Sequence, residues 1–113
     1  MAVPGADAAL LRVPDGISVE QAVLLTDILP TACYGARNAD IRPGQSVAVI
    51  GLGPVGQCAL QCAQLFGPAR VFAIDRVPER LAAARAQGAI PIDGSVDPIS
   101  AIRDARAAAV QTR

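Results

Sequence analysis

Three glycines and one acid carry the clearest chemistry in this sequence. Gly51, Gly53 and Gly56 form "GLGPVG" between an apolar run and a stretch with apolar residues at helical spacing, and Asp75 follows nineteen residues after Gly56. A dinucleotide site needs that order. Gly51 permits a tight turn, Gly53 leaves room for a pyrophosphate to approach the backbone, and Gly56 lets a helix pack closely on the strand before it. With Pro54 and Val55 opening the helix, its unpaired N–H groups and positive dipole end would face the phosphates. Asp75 then stands where a carboxylate accepts hydrogen bonds from a ribose diol and repels a 2′-phosphate, which favours NAD(H) over NADP(H). Arg76, beside it, is a guanidinium able to attract that phosphate and keeps NADP(H) open, and Arg80 joins the same cofactor-binding group. The reading requires the Asp75 carboxylate to clasp the sugar instead of turning inward onto other protein groups.

Other readings of these residues stand beside that one. Asp75 would also serve to cap a helix starting at Pro78, and Gly51 to Gly56 would also serve as an ordinary strand-to-helix turn. Similar loops hold FAD or S-adenosylmethionine, and a methyltransferase half-domain is a third possibility, against which the three-glycine loop followed by Pro54 argues. Cys58 and Cys62, four residues apart, share one helix face, where two small apolar residues on a buried stripe explain them without a metal or redox role; Cys33 is read the same way.

The elements that must position these residues follow from periodicity. "SVAVIG" and "RVFAID" are short, β-branched and apolar on both faces, as strands inside a parallel sheet are, and "AIPID" is a weaker third. "PVGQCALQCAQLF", stopped by Gly67, and "PERLAAARAQ", stopped by Gly88, are the intervening helices. The order βαβαβ with short links implies parallel strands and right-handed crossovers. The fold class is therefore α/β: the first half of a Rossmann, doubly wound parallel-sheet domain, preceded by linking helices. Upstream, "ADAALLRVPDG" reads as an extended segment ending in a turn at Pro14 to Gly16. Ser18 and Gln21 make a capping box that opens a helix through "VEQAVLLT". Pro30 fits the first turn of a further helix expected from Thr31 to about Asn38. "PISAIRDARAAAVQTR" could form a last helix.

Composition removes several classes. The 113 residues are 52% hydrophobic, enough for a modest core, and ten basic residues, all Arg, balance ten acidic ones. No charge run suggests a nucleic-acid or anionic membrane surface, and no apolar stretch approaches a membrane span, so no nucleic acid, no membrane and a cytoplasmic location are expected. Three cysteines without ribbon spacing argue against a disulfide framework. There is no His, which excludes Ser-His-Asp triads, Cys-His pairs and His-bearing metal sites built from this chain alone.

With "LLTDILPTACYGA", "RPGQSVAVIGLGPVG" and "VFAIDRVPERLAAARAQGA" in view, the chain resembles the zinc-dependent medium-chain alcohol dehydrogenase family, especially the branch with glutathione-independent formaldehyde dehydrogenase and threonine or polyol dehydrogenases. The resemblance runs from about Val3 to Asp104. It implies hydride transfer between a small alcohol or aldehyde and NAD(H), zinc as a second cofactor, and a possible homo-oligomer. It also implies that residues 1–45 link from a GroES-like catalytic domain, that 46–104 form a partial Rossmann domain, and that 105–113 are an atypical tail. In that branch an acid of a "LSDILPTG"-like segment helps to hold zinc. Asp27 in "LTDILPT" matches it as a metal ligand, and Thr31 matches a catalytic residue beside the nicotinamide. A catalytic zinc needs about three protein ligands, and this chain offers one. A helix-capping role for Asp27 is the competing reading. The chain alone is expected to be an incomplete, inactive fragment, from a truncated or frameshifted gene, with the open edge of "SVAVIG" prone to self-association. A non-catalytic dinucleotide-binding module or remnant is the rival.

Overall fold

The computed structural model describes residues 2–110, with the side chains of 109 and 110 excepted. Helices α1 (Ala6–Ala9), α2 (Val19–Leu24) and α3 (Ile28–Asn38) lead into β1 (Ser46–Ile50), α4 (Pro54–Gln64), β2 (Arg70–Asp75), α5 (Pro78–Ala86), β3 (Ile90–Asp93) and α6 (Pro98–Val110). The expected βαβαβ order is present. β1 pairs in parallel with β2, and β2 with β3, so the sheet order is β1-β2-β3.

The two faces of the sheet bury alternate residues of β2, as the two-residue period of a strand requires. Val71 and Ala73 face α4 and α5 in a cluster with Leu52, Leu60, Ala84 and Ala89. Phe72 and Ile74 face the other way with Ile92, and Ala101, Ile102 and Ala105 of α6 pack on them. Helices thus cover both faces of the β2–β3 half. A third cluster fills the seam between α3 and α4, where Ala32, Ala36, Ile41, Cys62 and Ala63 are buried. Its small residues let the two helices approach closely.

The strands differ in burial although their compositions are alike. β2 is buried at all four positions between its ends, whereas no residue of β1 is buried and Ile50 is 81% exposed. β1 is an edge strand here, and α6 reaches only β2 and β3 on that face. The open edge expected of "SVAVIG" is therefore present, and Ile50 lies uncovered beside it.

Local signals upstream hold in part. Ser18 Oγ accepts from Gln21 N at 3.3 Å while Gln21 Oε1 accepts from Ser18 N at 3.0 Å, completing the capping box. The stretch expected to be extended begins instead with the single turn α1, its Gly5 N-cap at φ 68°. α3 starts three residues earlier than its expected Thr31 start, so Pro30 is its third residue; first-turn N–H groups lack helical partners in any case, and proline costs nothing there. The final helix forms over Pro98–Val110, continuous through residue 104, and its last three expected residues lie outside the described ones.

Candidate dinucleotide site

The carboxyl ends of β1 and β2 bring the glycine loop and Asp75 together, because adjacent parallel strands finish side by side. Ile50 pairs with Ile74, and the Gly51 N–H continues the ladder to the Ile74 carbonyl at 2.9 Å. Gly51 then takes φ 83°, a left-handed conformation that suits glycine. A Cβ added to Gly56 would lie 1.9 Å from the Gly51 carbonyl oxygen, so only glycine permits α4 to seat against the turn. Gly53 is the N-cap of α4, and an added Cβ there would meet nothing within 4 Å. The space over Gly53 is open to a ligand. Pro54 and Val55 are exposed in the first turn that follows.

Asp75 is placed differently from a carboxylate waiting for a sugar. Its side chain is 8% exposed. One oxygen, Oδ2, accepts from Leu52 N at 2.7 Å, and the other, Oδ1, accepts from Arg76 N at 2.7 Å and Val77 N at 2.9 Å. Arg80 Nη1 stands 3.5 Å from Oδ2. These backbone N–H bonds, Leu52's first, together with the Arg80 charge hold the carboxyl down at about 2, below its ordinary 3.8. Of roughly four acceptor positions on a carboxylate, three are occupied by backbone. The group is turned inward, which the sequence reading held to be incompatible with a ribose clasp. One position on Oδ2 is left, bordered by an Arg80 side chain that is itself 49% exposed. Capping of α5 by Asp75 is realised only as the bond to Val77, the N-cap residue, which makes no side-chain cap of its own.

The second expected site is sparser. Asp27 occupies the N-cap position of α3 yet makes no side-chain cap; its Oδ1 accepts from Thr31 Oγ1 at 3.1 Å, with both residues exposed. The two residues assigned to the zinc and nicotinamide side thus meet each other, one helical turn apart. Among the described residues no group of three His, Cys, Asp or Glu side chains could hold a metal. These residues alone do not fit a zinc site.

Cys33 joins the two cysteines that the sequence placed on one face of α4. Cys33 of α3 and Cys58 of α4 pack half-buried against buried Cys62 in the α3–α4 seam. Burial, with Cys33 and Cys58 adding to it, pushes the Cys62 thiol up to about 12. That is core behaviour.

One participant went unread in the sequence. Gln57, directly after Gly56, hydrogen-bonds both the glycine loop and α5. Its only sequence signal is an amide on a helix whose buried residues are apolar.

No protein-family model matches the chain. Curated relatives do. A probable zinc-binding alcohol dehydrogenase of Mycobacterium tuberculosis, Rv1895, is 55% identical over 92 residues, covering 81% of this chain and 24% of the relative. An NADP-dependent isopropanol dehydrogenase of Thermoanaerobacter brockii is 39% identical over 99 residues, covering 84% of this chain and 28% of the relative. Among solved structures, the alcohol dehydrogenase TADH from Thermus sp. ATN1 superposes with a TM-score of 0.75 at 44% identity, over 83% of this chain and 28% of that one. The chain thus spans about a quarter of the length of the proteins it matches.

Proposed function

The chain belongs to the zinc-type alcohol dehydrogenase family, and on that premise we propose that it supplies the dinucleotide-gripping part of an oxidoreductase that exchanges hydride between a small alcohol or aldehyde and NAD(H). The observation that carries this reading is the open space over Gly53 at the N-terminus of α4, beside a turn that only glycine at 51 and 56 allows. The cofactor, when bound, supplies the hydride acceptor at its nicotinamide ring.

This chain's residues do the holding. The diphosphate lies on the unpaired N–H groups of Gly53, Val55 and Gly56. Asp75, ionised at neutral pH, opposes a 2′-phosphate even while facing inward, and its remaining acceptor position takes one ribose hydroxyl if Arg80 swings aside. Arg76 and Arg80 are the cations that would favour NADP(H), the cofactor named for the Thermoanaerobacter relative. Asp27 serves as one zinc ligand and Thr31 orients the substrate side, with the remaining ligands drawn from parts outside this chain. No step through zinc follows from these residues alone. Residues 1–45 act as the link to such a part, 46–104 as the Rossmann portion and 105–113 as a tail, in a cytoplasmic protein that pairs with a second copy of itself. Among the described residues no helix is long and apolar enough to cross a membrane.

Calorimetric titration of the purified chain with NADH and NADPH tests the reading. Saturable NADH binding that exceeds NADPH binding supports it; NADPH preference reverses the cofactor assignment, and no binding of either leaves a non-binding remnant. The rival, a dinucleotide-binding module without catalysis, is favoured by the lack of a three-ligand cluster among the described residues. Substoichiometric zinc in the purified chain is expected under both, and stoichiometric zinc held through Asp27 would remove the rival.

A further inference from the structure

We propose that Gln57 is a positioning residue of this site: its amide fixes the peptide between Leu52 and Gly53 so that the Gly53 N–H is presented to a bound diphosphate. The inference rests on the dinucleotide reading above.

Gln57 lies in the first turns of α4, half-buried. Its Nε2 donates to the Leu52 carbonyl at 3.3 Å and to the Arg80 carbonyl at 3.1 Å, and its Oε1 accepts from Gln87 Nε2 at 2.7 Å. Only a nitrogen can serve two carbonyls, so these partners fix which way the amide faces. Gln87 is anchored in turn, its carbonyl accepting from Gln64 Nε2 at 2.7 Å. The amides of three residues form a strap across α4 and α5.

The consequence falls on two successive peptides. The Leu52 N–H is drawn to Asp75 Oδ2, so the carbonyl of the same peptide, Gly51, faces the opposite way and meets Gly56. In the next peptide the Leu52 carbonyl is drawn to Gln57, so the Gly53 N–H faces away from it. No cis bond alters that logic among the described residues. Among the described residues no group accepts from the Gly53 N–H, and the space beside Gly53 is open. Asp75 settles the first peptide and has no hold on the second. Among the described residues Gln57 is the side chain that holds the second, and the same nitrogen ties it to the first turn of α5, from which Arg80 reaches Asp75. One side chain thus links the phosphate-facing peptide to the helix that carries Arg80.

Gln57→Met keeps length and approximate volume while removing both donors and the acceptor. Titration with NADH and, separately, with adenosine is expected to show roughly tenfold weaker NADH binding, the scale of one well-aimed hydrogen bond, with adenosine affinity unchanged. Unchanged NADH affinity, or an equal loss for adenosine, would overturn the proposal. Nitrogen-15 relaxation of the nucleotide-free chain supplies a second arm: the variant should lose order at Gly53 while Leu52, still held by Asp75, keeps it. Equal order at Gly53 in both chains overturns the positioning role even if no nucleotide binds, whereas failure of the parent chain to bind NADH counts against the dinucleotide reading alone.

Discussion

Two carboxylates, Asp75 and Asp27, were expected to do comparable work, one on a sugar and one on a metal. Their surroundings differ sharply. Asp75 is enclosed by three backbone N–H groups from two loops, with Arg80 alongside, and is held ionised to about 2. Asp27 is exposed and takes one hydroxyl, that of Thr31, from its own helix. The difference teaches that a corner built from adjacent strand ends organises itself, because each parallel strand leaves N–H groups unpaired where it stops. A helix N-terminus on the surface has water for its N–H groups and demands nothing of its acid.

The largest way to break the contrast is Gly56→Ala. Its Cβ would meet the Gly51 carbonyl oxygen at 1.9 Å, a backbone atom that cannot swing away, so urea unfolding should report a loss of roughly 3 kcal/mol together with loss of NADH binding. An unchanged midpoint would show the turn to be softer than the geometry states. Asp75→Ala comes next: with three N–H groups left unpartnered, NADH affinity should fall by roughly thirtyfold or more, and Asp75→Asn should recover part of it through the retained carbonyl oxygen.

Acid sharpens the same comparison. The Asp75 carboxyl is depressed from 3.8 to about 2 in the folded chain, so its contribution is complete above the ordinary value and is lost as pH falls from there toward about 2. Asp93 and Asp97 are lowered by Ser95 and Ser100 and act in the same direction. Circular dichroism during acid titration should therefore show unfolding in that window, less steeply for Asp75→Asn. Asp27→Ala, by contrast, should lower the urea unfolding free energy by no more than about 0.5 kcal/mol, since its one partner is exposed; a larger loss would mean that the second corner is as built as the first. The smallest effect concerns the seam between the corners. With a thiol-reactive disulfide reagent at pH 8, Cys33 and Cys58 should react in the native chain while Cys62, pushed up to about 12 and buried, waits for unfolding.

Much of the fold was legible because its signals are local. The stops at Gly67 and Gly88 demand positive φ, and both residues have it, at 69° and 85°. Pro54 and Pro78 stand in the first turns of α4 and α5, where proline's missing N–H is harmless. The start of α3 was misplaced since Pro30 fits any position of a first turn, and periodicity cannot choose among them. α1 escaped notice because four residues are too few to show a helical period. The turn at Gly51, Gly53 and Gly56 was legible from the glycine spacing together with the strand before it and the helix after it. Gln57 was not, because an amide beside a glycine loop reads as one more polar helix residue until its partners are known.

By itself the sequence determined the βαβαβ order, the glycine turn and the placing of an acid at the end of β2, since each depends on φ, on side-chain period or on chain direction over a few residues. Only the tertiary structure decided where Asp75 points and what Gln57 holds. Leu52 to Asp75 and Gln57 to Arg80 each join residues 23 apart. Contacts of that range arise from the packing of α4 and α5 on the strands, which no window of sequence contains.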